Sequence, residues 1–469
     1  MTWVTLDRDS SLPLIRQIYG QLRGRILEGV LAPGTRLPSS RAMASMLGVS
    51  RNVVIEAYDL LYAEGFTKGR HGSGTFIADG AVYSPPTVPE APEVEVVSMG
   101  YEGPAGVINF KPGTPDLRHF PAHLWLRMLK EVYSRASADL FAYGLPEGRP
   151  ELRQAIRDYL VTQRGVLCHP DQIVVTAGTT QAIGIIASFL LGERLDVVLE
   201  DPITRDIQLI IKGEGGVIHP VEVDDSGLMT DRLPEGLSPS FIYVTPSHQF
   251  PLGGTMPIQR RVALLEYTER TGAWVIEDDY DSEFRFDGPP LNSLQSLAPE
   301  RVVYIGTFSK TLCPALRTGY LVLPTALIAR GRNEKWRRDL HNETTGQLAL
   351  AEFIRQGRYQ RHTAGMRRLY GLKRRALENA LRQAFGDQVH ILGSAAGLHL
   401  AARFHGAVFD GALLAELEVA GVRVYPAEMH AMRPGRLLDT VIMGYGNLDE
   451  MVIRNGVDIL RKTLEKAGA

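Results

Sequence analysis

One segment of this chain contains a lysine and a nearby arginine, two residue types that can capture a carbonyl and bind a phosphate. Lys310 lies within Gly306-Thr-Phe-Ser-Lys310 and precedes Arg317 by seven residues. A lysine in a dry, cationic pocket loses its proton readily enough to attack a carbonyl carbon. An arginine carries a permanent positive charge and can hold a phosphate through two N–H groups. Lys310 could therefore capture a carbonyl and Arg317 could hold a phosphate, whereas the other interpretation of such a lysine is a solvated surface residue.

A second group of polar residues follows an apolar, strand-like run. Glu277-Asp-Asp-Tyr280 comes directly after residues 274–276, so Asp278 and Tyr280 are expected at the carboxyl end of a strand. Ligands of open α/β sheets bind at these ends. An aspartate there can hold the proton of a heterocyclic nitrogen, and a tyrosine can donate to a ring oxygen. The other interpretation of three acids in a row is a solvated acidic loop.

A phosphate cradle is predicted where a strand passes into a helix, in Thr176-Ala-Gly-Thr-Thr-Gln181. Backbone amides and hydroxyls at a helix N-terminus bind anions. Further hydroxyls come from the segment around the lysine. The expected phosphate contacts, besides Arg317, are Gly178, Thr179, Thr180, Thr307 and Ser309.

These groups form the set that pyridoxal 5′-phosphate (PLP) requires: an amine, an acid beside the pyridine nitrogen, a phosphate cradle and contacts to the ring. From about Asn109 to its end, the chain resembles the fold-type I aminotransferases. The resemblance implies that Lys310 forms an aldimine with PLP, that Asp278 holds the pyridinium proton and that Tyr280 donates to O3′. Tyr143, in Tyr143-Gly-Leu-Pro-Glu-Gly148, matches a tyrosine that reaches the phosphate of the neighbouring subunit, which implies a homodimer.

Three positions depart from the aminotransferase pattern. Phe250 stands before Pro251 where an asparagine commonly touches O3′, and Thr204 stands where relatives have a stacking aromatic residue. Ile442 occupies the position of the arginine that holds a substrate carboxylate. Nearby arginines that could replace it are Arg423 and Arg436. These departures favour PLP capture over efficient transamination.

The N-terminal segment has the pattern of a small helical domain. Leu14, Ile18, Leu22 and Ile26 form one apolar stripe at helical spacing. A serine-capped helix is expected to reach about residue 47, a tight turn covers 48–50, and another helix runs to about residue 64. Residues 71–77 have the composition of a hairpin turn. The order predicts a helix, a helix–turn–helix and a hairpin wing.

A helix–turn–helix places the start of its second helix in the major groove of DNA. Arginine can pair with guanine and asparagine with adenine, while serine suits a phosphate. A helical bundle with an ordinary charged surface is the alternative. The expected DNA contacts are Arg41, Ser50, Arg51, Asn52, Arg70, Gly72 and Ser73.

Residues 10–78 closely resemble the winged helix of GntR-type bacterial regulators, particularly in Leu31-Ala-Pro-Gly-Thr-Arg-Leu-Pro-Ser-Ser-Arg41 and Gly48-Val-Ser-Arg-Asn-Val-Val-Ile-Glu-Ala-Tyr58. Joined to the second resemblance, this is similar to the MocR-type subgroup. The segment Thr245-Pro-Ser-His-Gln-Phe-Pro-Leu-Gly253 also resembles a sequence motif of that subgroup. The resemblance implies a regulator that binds double-stranded DNA at a promoter operator.

The chain divides into three predicted segments. Residues 1–78 form the DNA-binding domain, and residues 79–107, with five prolines, five acids and no base, form a linker. An irregular arm packed on the next domain is the other interpretation of the linker. Residues 108–469 alternate strand-like and helical runs, which predicts an α/β fold with a mainly parallel central sheet. The aminotransferase resemblance adds a smaller α+β C-terminal lobe.

The sequence argues against a membrane-spanning protein and a secreted protein. No apolar stretch approaches the roughly 20 residues that span a bilayer, and no signal peptide is recognised. Two cysteines suit a reducing cytosol, so we expect a cytoplasmic protein, associated with the nucleoid when bound to DNA. No metal site is predicted.

Three functions remain open at this point. The first is a transcription regulator that senses PLP, or an amine or amino-acid effector, through aldimine chemistry at Lys310. The second is a PLP-dependent aminotransferase with a fused DNA-binding head. In the third, the large domain has lost PLP and serves only for dimerisation. The motifs favour the first, with the aminotransferase-like domain used as a sensor without physiological turnover.

Overall fold

The computed structural model describes residues 3–70, 74–81, 83, 106–192 and 194–467, apart from the side chain of Arg70. The chain forms two compact units, Met1–Met99 and Gly100–Ala469. Within the described residues, no helix is both long and apolar enough to cross a membrane.

The first unit is a winged helix–turn–helix, as the sequence predicts. Of its predicted stripe, Ile18, Leu22 and Ile26 are fully enclosed, and Leu14 is half-buried. Ser39 caps the second helix by accepting a hydrogen bond from the Ala42 N–H (3.2 Å), and Gly48 ends that helix at φ 61°. The elements are α1 (Leu14–Leu27), α2 (Ser40–Leu47), α3 (Arg51–Ala63), β1 (Thr67–Arg70) and β2 (Gly74–Ile77).

The second unit alternates strands and helices in its first part and ends in a smaller lobe. Its strands are β3 (Ile108–Asn109), β4 (Ile173–Thr176), β5 (Asp196–Asp201), β6 (Val217–Asp224), β7 (Gly227–Leu228), β8 (Phe241–Val244), β9 (Trp274–Asp279), β10 (Val302–Thr307), β11 (Gly319–Val322), β12 (Val389–Leu392), β13 (His399–Phe404), β14 (Val422–Arg423), β15 (Tyr425–Pro426) and β16 (Thr440–Gly444). Its helices are α4 (Ala122–Ser134), α5 (Pro150–Arg164), α6 (Thr179–Leu190), α7 (Arg205–Gly213), α8 (Ile258–Thr271), α9 (Ile328–Asp339), α10 (Thr344–Arg355), α11 (Arg358–Phe385), α12 (Gly411–Ala420) and α13 (Glu450–Ala467).

The large sheet has the strand order β4-β11-β10-β9-β8-β5-β6-β7. Strands β10, β9, β8, β5 and β6 are parallel neighbours, whereas β11 and β7 pair antiparallel. The sheet is therefore mixed with a parallel centre, and every residue of β4, β8 and β10 is buried. The parallel strands end on the same edge, which brings the polar residues that follow them together.

The smaller lobe contains the four-stranded antiparallel sheet β12-β13-β16-β15. Its apolar core is continuous with α11 and α13, and includes Leu377, Leu400, Met443 and Leu460. The lobe presents β13 and β16 side by side, with His399 opposite Gly444 and Ala401 opposite Ile442. Cross-strand partners share a face, so these four residues lie on one face of the sheet.

Candidate cofactor site and DNA-binding surface

Two neighbouring parallel strands carry the central residues of the candidate site. Asp278 lies in β9, paired with Ile305 of β10, and β10 ends at Thr307. Lys310 follows three residues later, beyond the carboxyl end of that strand. The structure thus brings Lys310 and Asp278 to the same sheet edge, as the sequence predicts.

Lys310 is packed against a glycine in the first loop of the large unit. A Cβ added to Gly113 would lie 3.0 Å from the Lys310 Nζ, so a larger residue at this position would require the lysine side chain to shift. Burial lowers the pKa of Lys310, and the charges of Lys111 and Arg317 lower it further, while Asp281 and Asp278 oppose them. Part of the amine population is therefore neutral and nucleophilic at a lower pH than for an exposed lysine.

Asp278 is a buried carboxylate with one oxygen free. The Tyr243 hydroxyl donates to its Oδ2. Its Oδ1 is buried and has no hydrogen-bond partner in the part of the chain that the structure describes. Burial raises the pKa of Asp278 to about 7. A buried, unpartnered carboxylate oxygen suits a charged N–H donor from a ligand, which would both satisfy the oxygen and favour the ionised acid.

Tyr280, the predicted O3′ donor, follows β9 and points its hydroxyl at a histidine. The hydroxyl lies 3.0 Å from the backbone oxygen of His248 and 3.1 Å from the Nδ1 of that residue. Asp281 accepts from the same Nδ1 at 3.0 Å, so the Tyr280 proton goes to the carbonyl oxygen. Donation to a ligand would require the hydroxyl to give up this bond.

His248 and Asp281 form a buried ion pair beneath Tyr280. Burial alone would lower the pKa of His248, but the Asp281 carboxylate outweighs it and raises the pKa above its ordinary value. The second nitrogen, Nε2, lies 3.2 Å from the Gly393 oxygen. A Cβ on Gly397 would lie 2.2 Å from the His248 ring. The pair therefore depends on a glycine at position 397, as no side chain fits there.

The predicted phosphate cradle forms at the N-terminus of α6. Gly178 is its N-cap at φ 99°, and Thr179 and Thr180 begin the helix. A Cβ on Gly178 would lie 3.0 Å from the Arg317 guanidinium, whose Nη2 donates to the Ala177 oxygen. Arg317 itself adopts φ 44°, unusual for a residue other than glycine. A helix N-terminus with a glycine cap and an adjacent arginine is an arrangement that suits an anion such as a phosphate.

The remaining predicted phosphate contacts are split between two places. Thr307 and Ser309 lie together beside Lys310, where their hydroxyls form a 3.1 Å hydrogen bond. Tyr143 lies on the surface, 86% exposed, and its ring contacts His341 edge-on. So large an exposed aromatic side chain is available to a second subunit.

The departures from the aminotransferase pattern also have clear positions. Ile442 is fully buried in an apolar cluster with Ala401, Leu437 and Phe250. Arg423 is paired with Glu418, and Arg436 with Glu222. Thr204 is the N-cap of α7. The structure therefore places a fully buried apolar side chain at the position of the usual carboxylate-binding arginine, and both alternative arginines are paired with acids.

Two buried histidines near this surface were not singled out from the sequence. His399 is fully buried, and its Nε2 lies 3.2 Å from the Pro251 oxygen. His430 is 9% exposed and packs against Phe250, which also contacts His399. Neither Nδ1 has a hydrogen-bond partner among the described residues. The sequence gives no periodicity or motif that marks these histidines, since they meet only in the folded chain.

The predicted DNA contacts of the first unit lie on its surface. Arg41 is exposed in the first turn of α2, and Ser50, Arg51 and Asn52 are exposed at the start of α3. The Arg51 Nε donates to the Ser40 hydroxyl (3.1 Å). Ser50 is the N-cap of α3, but its side chain makes no capping hydrogen bond. Among the described residues its hydroxyl has no hydrogen-bond partner, which leaves it available to a phosphate.

The wing residues can be placed only in part. Arg70 ends β1, opposite Gly74 of β2. Gly72 and Ser73 lie outside the described residues. Most of the predicted linker, residues 79–107, lies outside them as well.

The site's residues fit PLP in two independent respects. Asp278 offers a buried, unpartnered oxygen to a pyridinium N–H, and the glycine-capped start of α6 beside Arg317 offers an anion cradle. The predicted mixed α/β fold of the large unit is the fold of solved aminotransferases. One of them is LysN, an α-aminoadipate aminotransferase from Thermus thermophilus complexed with N-(5′-phosphopyridoxyl)-L-leucine. It is 26% identical with a TM-score of 0.71, over 77% of this chain and 93% of that one.

Comparison with known protein families divides the chain into the same two parts, a helix–turn–helix and an aminotransferase-like domain. Residues 14–77 match the family described as bacterial regulatory proteins, gntR family, and residues 105–437 match aminotransferase class I and II. The aminotransferase domain and its PLP-complexed structural neighbours imply PLP as the cofactor. GntR-type helix–turn–helix regulators bind DNA.

Two regulators resemble the chain along most of its length. The probable rhizopine catabolism regulatory protein MocR of Rhizobium meliloti is 38% identical over 99% of this chain and 97% of its own length. The pyridoxine biosynthesis regulator PdxR of Corynebacterium glutamicum is 34% identical over 84% of each chain. The chain therefore belongs to the MocR-type subgroup of GntR-family regulators, in which a GntR helix–turn–helix is joined to an aminotransferase-like domain.

Proposed function

We propose that this protein is a PLP-dependent transcription regulator that binds operator DNA as a homodimer and senses either PLP itself or an amine that competes with Lys310. The proposed segments are a DNA-binding domain at 1–78, a linker at 79–107 and a sensor domain at 108–469. The regulator works in the cytoplasm.

The observation that carries the proposal is the juxtaposition of Lys310 and Asp278. When bound, PLP supplies an aldehyde carbon to which primary amines attach covalently. The buried Lys310 amine is the chain's own partner for that carbon. The free Oδ1 of Asp278 would accept a hydrogen bond from the pyridinium N–H, and Arg317 with Gly178, Thr179 and Thr180 would hold the phosphate.

A regulator needs two states to which its ligand binds unequally. Tyr280 supports such a difference, because its hydroxyl is held by the His248 carbonyl and would leave it to donate to a ligand oxygen. Thr307 and Ser309, now bonded to each other, could likewise turn their hydroxyls toward a phosphate. Ligand binding thus changes hydrogen bonds that the protein makes without it.

The first experiment tests cofactor attachment. The wild-type protein incubated with PLP and then desalted should keep a visible absorption band, and Lys310→Ala should lose it. Lys310→Arg is a matched control, since it keeps the positive charge without a primary amine. A band of equal intensity in all three proteins would refute attachment at Lys310.

A second experiment separates the sensor from an aminotransferase. The buried Ile442 leaves a substrate carboxylate without the usual arginine. We therefore expect no sustained amino transfer from amino acids to keto acids. Sustained transfer at a rate independent of DNA would favour the enzyme instead.

A further inference from the structure

The effector side of the site has an unusual combination of groups. On one face of the smaller sheet, Ile442 and His399 are diagonal neighbours, because Ile442 pairs with Ala401 and Gly444 pairs with His399. Ile442 belongs to an apolar cluster that includes Phe250. This face therefore has the apolar Ile442 at the position of the arginine that usually holds a substrate carboxylate, and the imidazole of His399 lies diagonally beside it.

The hydrogen bonds of His399 determine what its free nitrogen can do. Its Nε2 faces the Pro251 carbonyl oxygen at 3.2 Å, so this nitrogen carries the proton. Burial keeps the ring neutral, since it lowers the pKa of His399 well below the ordinary value, and the charges of His248 and Lys310 act in the same direction. The buried Nδ1 then presents a lone pair, which accepts a hydrogen bond and repels a carboxylate.

His430 adds a second neutral imidazole to the same place. Burial lowers the pKa of His430 to about 4. Phe250 packs edge-on against both histidines, with ring centroids 5.2 Å from His399 and 5.0 Å from His430, and also contacts Tyr280. Both histidines have an unpartnered Nδ1 among the described residues, and a buried polar atom without a partner is costly.

We propose that His399 and His430 select a hydroxyl-bearing primary amine without a carboxylate as the effector, by hydrogen bonding its hydroxyl groups where an aminotransferase would bind a carboxylate. This inference rests on the proposed function, because it assumes that an amine competes with Lys310. A hydroxyl group can donate a hydrogen bond to the His399 Nδ1, and it can either donate to or accept from the His430 Nδ1. A carboxylate, in contrast, finds no hydrogen-bond donor at the His399 Nδ1 and no cation at Ile442.

The test compares two probes that differ at one group. Serinol is serine with its carboxylate replaced by a hydroxymethyl group. We would titrate each into the full-length, PLP-loaded protein and follow both the visible spectrum and the affinity for operator DNA. Serinol should act at a concentration about tenfold lower than L-serine, the effect of one well-formed hydrogen bond against an unpaired charge.

Variants assign the preference to the histidines. His399→Phe keeps a ring of similar size without the acceptor, and should weaken serinol about tenfold while leaving L-serine unchanged. His399→Asn places an oxygen near the former Nδ1 and should restore part of the preference. His430→Phe should weaken serinol too. His390→Phe, at an exposed position of β12, is the matched control and should change nothing.

The outcomes separate this inference from the proposed function. Retained PLP absorption and operator binding in His399→Phe would show that the variant folds. A wild type that prefers L-serine, ignores both amines, or keeps its serinol preference in His399→Phe would overturn the inference while leaving PLP sensing intact. A wild type without a Lys310-dependent band would instead refute the proposed function, and the inference with it.

Discussion

Asp278 has two carboxylate oxygens in unlike surroundings. Oδ2 accepts from Tyr243, and Oδ1 is buried without a partner among the described residues. Removed from water, the carboxyl keeps its proton in the native protein up to a pKa of about 7, against 3.8 for the ordinary group. The residue is therefore unfavourable as an anion until a positively charged donor reaches it.

This environment gives a pH dependence with a definite sign. Between about pH 4 and 7 the native cofactor-free protein binds a proton that the unfolded chain has released, so its free energy of unfolding falls as pH rises and levels off above 7. Asp278→Asn removes this contribution. Between pH 5 and 7, the free energy of unfolding of the variant, measured in urea, should fall by about 2 kcal/mol less than that of the wild type. Equal losses would contradict a buried, protonated Asp278.

Single residues differ in how far they can be predicted from sequence. Lys310, Asp278 and Arg317 were recognisable because each lies in a local motif beside a strand or a glycine turn. His399 and His430 were not, because their meaning comes from packing against Phe250, far away in the chain. The partner of Tyr280 was also missed, since a contact with His248 leaves no signature in spacing.

At the scale of elements, α2 and α3 position the side chains that are predicted to contact DNA. Ser39 begins α2 by capping it, and Gly48 ends it, so the turn into α3 is tight. The buried face of α3 is formed by Val54, Ala57, Tyr58 and Leu61. Its opposite side leaves the start of the helix exposed for DNA.

Removal of the cap should destabilise the DNA-binding unit. Ser39→Ala removes the 3.2 Å bond to the Ala42 N–H and should lower the free energy of unfolding by about 1 kcal/mol. Ser45→Ala, at an exposed position inside α2, provides the control and should have little effect. Comparable losses in both variants would argue against the capping role. The measurement is thermal or urea unfolding followed by circular dichroism.

Arg51 should contribute directly to operator recognition. Its guanidinium is exposed at the start of α3 and held only by the Ser40 hydroxyl among the hydrogen bonds resolved for it. Arg51→Ala should cost about 1–3 kcal/mol of binding free energy if it contacts a base. Arg16→Ala removes an equal charge from α1 and should cost less. Equal losses on a true operator, measured by fluorescence anisotropy, would reduce Arg51 to a general phosphate contact.

The positions of the secondary-structure elements could be predicted from the sequence more closely than which of their residues are buried. The strand-like run at 274–276 lies in β9, and the strand-to-helix passage predicted within 176–181 is the passage from β4 to α6. Periodicity and flanking turns determine such elements. The inner face of α3 is not determined by periodicity alone: Val53 and Leu60 are half-buried, whereas Val54 and Tyr58 are buried. Which side of a short helix is enclosed depends on its neighbours.

At the scale of the whole molecule, Tyr143 makes the proposed homodimer testable. Its exposed side chain is the proposed contact to the phosphate of the partner's cofactor. Tyr143→Ala should release PLP about tenfold more readily, the effect of one lost charge-assisted hydrogen bond. Tyr143→Phe keeps the ring and should show how much belongs to the hydroxyl.

Mixed dimers distinguish a contact across subunits from one within a chain. A dimer of Lys310→Ala with Tyr143→Ala should regain one site of normal PLP affinity, because the first chain supplies Tyr143 to the Lys310 of the second. Restored affinity in half of the sites would support the shared site. Weak binding in every mixed dimer would contradict it.

The joining of a DNA-binding head to an aminotransferase-like domain was apparent from two unrelated sets of motifs. What the sequence could not supply is that Ile442 and His399 lie on one face of the smaller sheet, since that depends on the register of β13 with β16.

The most direct test of the account is operator affinity as a function of PLP and amines, measured in parallel for the wild type and Lys310→Ala. We expect ligand to change the operator affinity of the wild type at least about fivefold, the lower end of typical coupling between sites. Lys310→Ala should bind the operator but fail to respond. An operator affinity that is the same with and without every ligand in the wild type, or an equal response in Lys310→Ala, would contradict a switch built on this lysine.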